Sequence, residues 1–89
     1  MKPSSIKESQ VMQGVFIKAA EDQLKNNDPP ETAETMERLL SEGISKRDAL
    51  SMIAWCIANE MTAVIESDEP FDKDRFVKQL NTLPAAWGR

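Results

Sequence analysis

The chain has 89 residues, of which 40% are hydrophobic and 29% are charged, and its net charge is −4. A chain of this length forms a single domain, 1–89, with a small core, and these proportions are typical of folded rather than disordered proteins. The negative charge disfavours broad electrostatic attachment to nucleic acid or to anionic membranes.

The sequence contains no histidine and no tyrosine. Histidine is the commonest general base and metal ligand, and without it no Ser-His or Cys-His nucleophile pair can form. We therefore expect a non-enzymatic protein with no catalytic, metal-binding or cofactor-binding residues. The single cysteine, Cys56, is expected to be a buried, inert thiol.

The N-terminal sequence lacks the apolar core of a signal peptide, and no run approaches 18 uninterrupted apolar residues. The expected compartment is therefore the cytoplasm, with no membrane partner and no small-molecule ligand.

The first predicted helix covers residues 5–26. Ser5 and Glu8 have the spacing of a capping box, in which each side chain accepts from the other residue's backbone N–H. Apolar residues recur at helical intervals and predict one buried face. That face consists of Val11, Met12, Val15, Phe16, Ala19, Ala20 and Leu24.

The second predicted helix covers residues 29–42. Asp28 is its expected N-cap, Pro29 its first residue and Glu31 the reciprocal cap. A narrow apolar stripe predicts cover on one side only, and it consists of Ala33, Met36, Leu39 and Leu40. Gly43 is expected to end the helix in the left-handed conformation.

The third predicted helix covers residues 45–67 and opens with Ser45 as its N-cap, followed three residues later by Asp48. Its apolar arc spans more than half the circumference, whereas a surface helix needs only about 100°. Members of the arc include Leu50, Ile53, Ala54, Ile57, Met61, Val64 and Ile65. We therefore expect this helix to be central and to have neighbours on at least two sides.

The fourth predicted helix covers residues 72–83, with Phe71 as a hydrophobic staple to Phe76 and Pro84 ending it. Four capped helices with short links and no alternating strand pattern predict an all-α, compact four-helix domain.

Residues 28–84 contain, in order, DPPET, ERLLSEGISKRDAL, PFD and a closing LP. This pattern resembles a set of small, uncharacterised bacterial helical proteins that share these spaced elements. The resemblance implies a compact helical domain and implies no activity, ligand or site residue.

The segment 37–54 also has the outline of a helix-turn-helix, a nucleic-acid-binding motif. Only Lys46 and Arg47 are basic around the start of its second helix. A helix that contacts bases needs a free polar face, and this one is apolar around most of its circumference. We favour a plain helical hairpin and keep a nucleic-acid-binding regulator as the alternative function.

Glu60 falls inside the apolar arc of the third helix, where a carboxylate needs a partner or a raised pKa. The residues three and four positions away on its own helix carry no base. Candidate partners are Arg38, Arg75, Lys18 or an N–H at a helix start. A general acid or a metal ligand is the functional interpretation; we favour a structural ion pair or a carboxylate that reaches water.

Trp55 falls on the polar side of the same helix, beside Ser51, Asn59 and Thr62. Exposed tryptophan often anchors protein interfaces. Trp55 could instead be covered within the chain, with Trp87 packing nearby. Our leading hypothesis is a protein-protein interaction or assembly domain that forms a homodimer. Its candidate interface residues are Ser51, Trp55, Asn59, Thr62 and Trp87.

The acidic residues near the third link are Glu66, Asp68, Glu69, Asp72 and Asp74. A calcium loop requires a glycine at its turn, and Pro70 and Phe71 occupy that place. We expect a solvated helix junction there.

Overall fold

In a computed structural model, the backbone is described for residues 3–85 and the side chains for residues 14–85. The described residues form four α-helices and no strand: α1 is Pro3–Asn26, α2 is Pro30–Ser41, α3 is Lys46–Ser67 and α4 is Lys73–Asn81. The predicted all-α fold is confirmed. The expected capping box of Ser5 and Glu8 lies outside the described side chains.

The third helix is central, as its wide apolar arc predicts. α3 contacts each of the other three helices, whereas α1 and α4 do not contact each other within the described residues. All four helices contribute to one core. Its buried residues are Ala20, Met36, Leu39, Ala49, Met52, Ile53, Cys56, Ile57, Phe76, Leu80 and Leu83.

Three helices end at left-handed residues that allow the chain to turn, namely Asn27 after α1, Gly43 after α2 and Asp68, at φ 56°, after α3. Gly43, at φ 89°, donates its N–H to the Leu40 carbonyl, and Ile44 donates to the Leu39 carbonyl. Asn27, at φ 53°, ends α1 with the same pair of bonds. The ends at Gly43 and Asn27 are Schellman motifs, in which backbone N–H groups satisfy the last carbonyls of a helix.

The N-cap of α3 is Ser45, as predicted, and the N-cap of α4 is Asp72, which the sequence predicts to be the first residue of that helix. Ser45 Oγ accepts from Asp48 N–H at 3.1 Å, and the Asp72 carboxylate accepts from Arg75 N–H at 3.1 Å. Phe71 and Phe76 form the expected staple, with ring centroids 5.5 Å apart. The cap of α2 differs from expectation: its N-cap is Pro29, not Asp28, because the Pro29 carbonyl accepts the first helical bond from Thr32.

The prediction that α2 is covered on one side only is confirmed, although the covered face is rotated from the predicted stripe: the buried residues lie within about 100° of one another, and Leu40 of the stripe is exposed. α2 contacts α1, α3 and α4. Its buried residues include Thr32 and Thr35, which the apolar stripe does not count. The buried hydroxyl of Thr32 is not left without a hydrogen bond, because it donates to Gln23 Oε1 of α1 at 2.8 Å.

α2 and α4 run in the same direction, as two contacts show. Glu31 pairs with Lys73 near the start of both helices, with 3.6 Å between Oε1 and Nζ. Seven residues further along α2, Arg38 donates to the carbonyl of Leu80 in the last turn of α4 at 3.0 Å and to that of Leu83, two residues beyond the helix, at 2.8 Å. One helix therefore contacts both ends of the other.

Several apolar residues expected in the core are on the surface. Ile65 is 77% exposed and Val15 is 56% exposed, and Met61 and Leu40 are exposed to a smaller extent. Helical spacing shows which residues share a face, but the length of the neighbouring helices decides how far along that face the cover extends.

Candidate functional site

The carboxylate of Glu60 is fully buried and both of its oxygens are bonded. Arg75 of α4 donates from Nε to Oε1 at 2.8 Å and from a terminal guanidinium nitrogen to Oε2 at 2.7 Å. Oε2 also accepts the backbone N–H of Asp72 at 2.9 Å. The contact ties the middle of α3 to the start of α4 through a two-pronged ion pair, the geometry in which arginine binds carboxylates most strongly.

The hydrogen bond from Arg75 lowers the pKa of Glu60 below its ordinary value, and the Asp72 N–H acts in the same direction against the opposing effect of burial. A general acid working near neutral pH needs a raised pKa. The geometry therefore makes Glu60 an ionised structural partner. Its environment does not raise its pKa, as acid catalysis by a carboxyl group near neutral pH requires.

The other two candidate partners of Glu60 are engaged elsewhere. Arg38 binds the end of α4 and also lies 3.3 Å from Glu42. Lys18 pairs with Asp22 on its own helix, and both side chains are mostly exposed. Of the alternatives that the sequence left open, the structure pairs Glu60 with both Arg75 and an N–H at a helix start.

The face of α3 that carries Trp55 is partly uncovered and is most exposed towards the C-terminal end of the helix. We define the open strip as Ser51, Trp55, Ala58, Thr62 and Ile65, which fall within about 80° of one another on the helix. Thr62 and Ile65 are exposed, and the other three are half-buried. Trp55 packs one side against the core and leaves the remainder uncovered.

Asn59 has a different environment from the open strip. Its side-chain amide donates to Gln79 Oε1 of α4 at 3.2 Å, so it helps to hold α4 beside α3. Trp87, the fifth candidate interface residue, lies outside the described residues.

Lys46 and Arg47 are exposed in the first turn of α3, together with Asp48. These are the basic residues of the helix-turn-helix interpretation, and the adjacent aspartate leaves this turn with one net positive charge. The helix that they begin provides five of the eleven buried core residues, more than any other helix. A recognition helix is instead held with its polar face outward.

The acidic link between α3 and α4 borders an open groove of about 510 Å³. Its lining is the run Glu69 to Asp74, so the groove is the concave side of a single loop. Within the described residues, no three His, Cys, Asp or Glu side chains are arranged to hold a metal ion.

Cys56 is fully buried in the core. Burial raises the pKa of its thiol to about 12. A thiol with that pKa is protonated at neutral pH and is a poor nucleophile.

Among the described helices, α3 alone is long and apolar enough, by length and composition, to cross a membrane. The core helix of a soluble protein also meets this criterion of length and composition. Only 39% of its most apolar 18-residue window is buried inside the protein. Much of this window therefore lies outside the core, and the open strip is part of it.

Comparisons with protein-family models, with curated proteins and with solved structures found no match. The resemblance of residues 28–84 to small bacterial helical proteins therefore stays a prediction.

Proposed function

We propose that this chain is a small, non-enzymatic, cytoplasmic assembly domain that self-associates through the open strip of α3. One observation carries the proposal: Ile65, on the most apolar helix of the chain, is 77% exposed. Burying a whole isoleucine side chain is worth about 1.5–3 kcal/mol, so an uncovered one favours association.

The neighbours of Ile65 suit an interface. Trp55 offers part of an indole ring, and Ser51 and Thr62 offer hydroxyl groups beside it. Interfaces combine apolar or aromatic anchors with polar groups that hydrogen-bond across the contact. Small residues such as Ala58 allow another backbone to come close.

The ion pair of Glu60 and Arg75 supports this role indirectly. It fixes α4 against the buried side of α3, so that the open strip is presented by a rigid helix and not by a loop. Preorganised surfaces lose less conformational entropy on binding.

The experiment compares two single substitutions, each of which places a charge at an exposed apolar residue. Ile65→Asp lies in the open strip, and Val15→Asp lies on α1. We expect Ile65→Asp to weaken self-association at least tenfold, as measured by light scattering over a concentration series, with Val15→Asp close to wild type. Equal behaviour of the two variants, or a monomeric wild type at every concentration, would overturn the proposal.

A further inference from the structure

We propose that two copies of this chain pack α3 against α3 in opposite directions, with a two-fold axis crossing the open strip at the middle of the helix. This inference rests on the self-association proposed above and adds the direction and register of the contact. The occupant of the open strip is then a second copy of the chain.

Charge along α3 favours opposite directions. The helix begins with Lys46, Arg47 and Asp48, which together carry a single positive charge. It ends at a junction that holds five acidic residues and one lysine between positions 66 and 74. Parallel pairing would bring two acidic junctions together, whereas antiparallel pairing brings each junction beside the basic start of the other copy.

The proposed register places the two-fold axis at the middle of the helix. Because α3 is Lys46–Ser67, its midpoint lies between Cys56 and Ile57. A two-fold axis at that level places Trp55 opposite Ala58 of the second copy and Ser51 opposite Thr62 of the second copy. A large ring then faces a methyl group, and two hydroxyl groups face each other.

The angular positions of the facing residues follow from this register. In an ideal helix, Ser51 and Thr62 are about 20° apart and Trp55 and Ala58 are about 60° apart, and the two pairs are centred on the same direction. A single axis therefore serves both pairs. The same two-fold axis places Arg47 at the same height along the helix as Glu66 of the second copy. The two residues lie on opposite sides of the open strip.

Cysteine cross-linking distinguishes the two directions. In an antiparallel contact, the two copies of Thr62 are about 16 Å apart along the helix axis, which is too far for a disulfide. Ser51 of one copy instead faces Thr62 of the other. We expect Ser51→Cys mixed with Thr62→Cys to form a covalent mixed dimer under mild oxidation. Each variant alone should give little cross-linked product.

The wild-type chain is the control, because its Cys56 is fully buried and should not cross-link. Efficient disulfide formation by Thr62→Cys alone would show parallel packing and overturn the proposal. A dimeric protein in which no combination cross-links would also overturn it, leaving self-association intact. A monomeric wild type would instead overturn the proposed function.

Discussion

Glu60 keeps its charge inside the protein because Arg75 and the Asp72 N–H bond both of its oxygens. A buried ion pair adds little net stability over an apolar pair of the same shape, but removing one partner leaves the other uncompensated. The residue is therefore a point of vulnerability in the packing of α3 on α4.

Glu60→Gln should lower the free energy of unfolding by about 2 kcal/mol. This is less than the loss typical of a wholly buried pair, because the Arg75 side chain is 37% exposed and can be solvated. Urea denaturation measures the change. Glu66→Gln, on the exposed surface of the same helix, is the matched control, and an equal loss in both variants would contradict the assignment.

The ion pair should also make the free energy of unfolding depend on pH in the acidic range. The pKa of Glu60 in the folded protein is lowered from its ordinary value of 4.5, so the unfolded chain binds this proton more readily as the pH falls. Its stabilising contribution is present above that ordinary value and is lost as the pH falls through the lower, folded-state pKa.

We therefore expect the difference in unfolding free energy between wild type and Glu60→Gln to narrow progressively below pH 4.5. Denaturation curves of both proteins at a series of pH values measure it. A difference that stays constant into strong acid would show that the carboxylate is not stabilised by its partners.

At the scale of the helix, α4 depends on its neighbours because it has only nine residues. Isolated helices of this length are unstable in water. Asp72 in the preceding link caps its start, and Arg38 of α2 binds two carbonyls around its end, so side chains outside α4 complete its hydrogen bonding at both ends.

Arg38→Met should destabilise the protein by about 1.5 kcal/mol, because hydrogen bonds from a charged donor to the end of α4 are lost while the aliphatic part of the side chain is kept. Hydrogen exchange should accelerate mainly in α4. Lys25→Met, an exposed basic residue in the last turn of α1, is the control. Acceleration spread evenly over all helices would contradict the role given to Arg38.

The helix ends could be predicted from the sequence because caps, prolines and Gly43 act within a few residues. The central position of α3 could also be predicted, since the width of an apolar arc reports how many sides are covered. The contact of Arg38 with α4 could not, because it joins residues more than 40 positions apart. The exposure of Ile65 was missed for a related reason: a helical wheel contains no information on where neighbouring helices end.

At the scale of the molecule, α3 has a buried side and a partly uncovered side, and its amino-acid composition does not distinguish the two. The helix provides much of the core and contacts all three other helices, and the open strip is left partly uncovered. An 89-residue chain has a small core, and association adds stability to folds of this size.

Sedimentation equilibrium of the wild-type chain tests this account most directly. The chain has a mass of 10.0 kDa. We expect the average mass to rise towards twice that value as the concentration increases from about 1 µM to about 500 µM, the range over which a micromolar dimer becomes populated. A mass that stays at 10.0 kDa throughout would contradict self-association through α3.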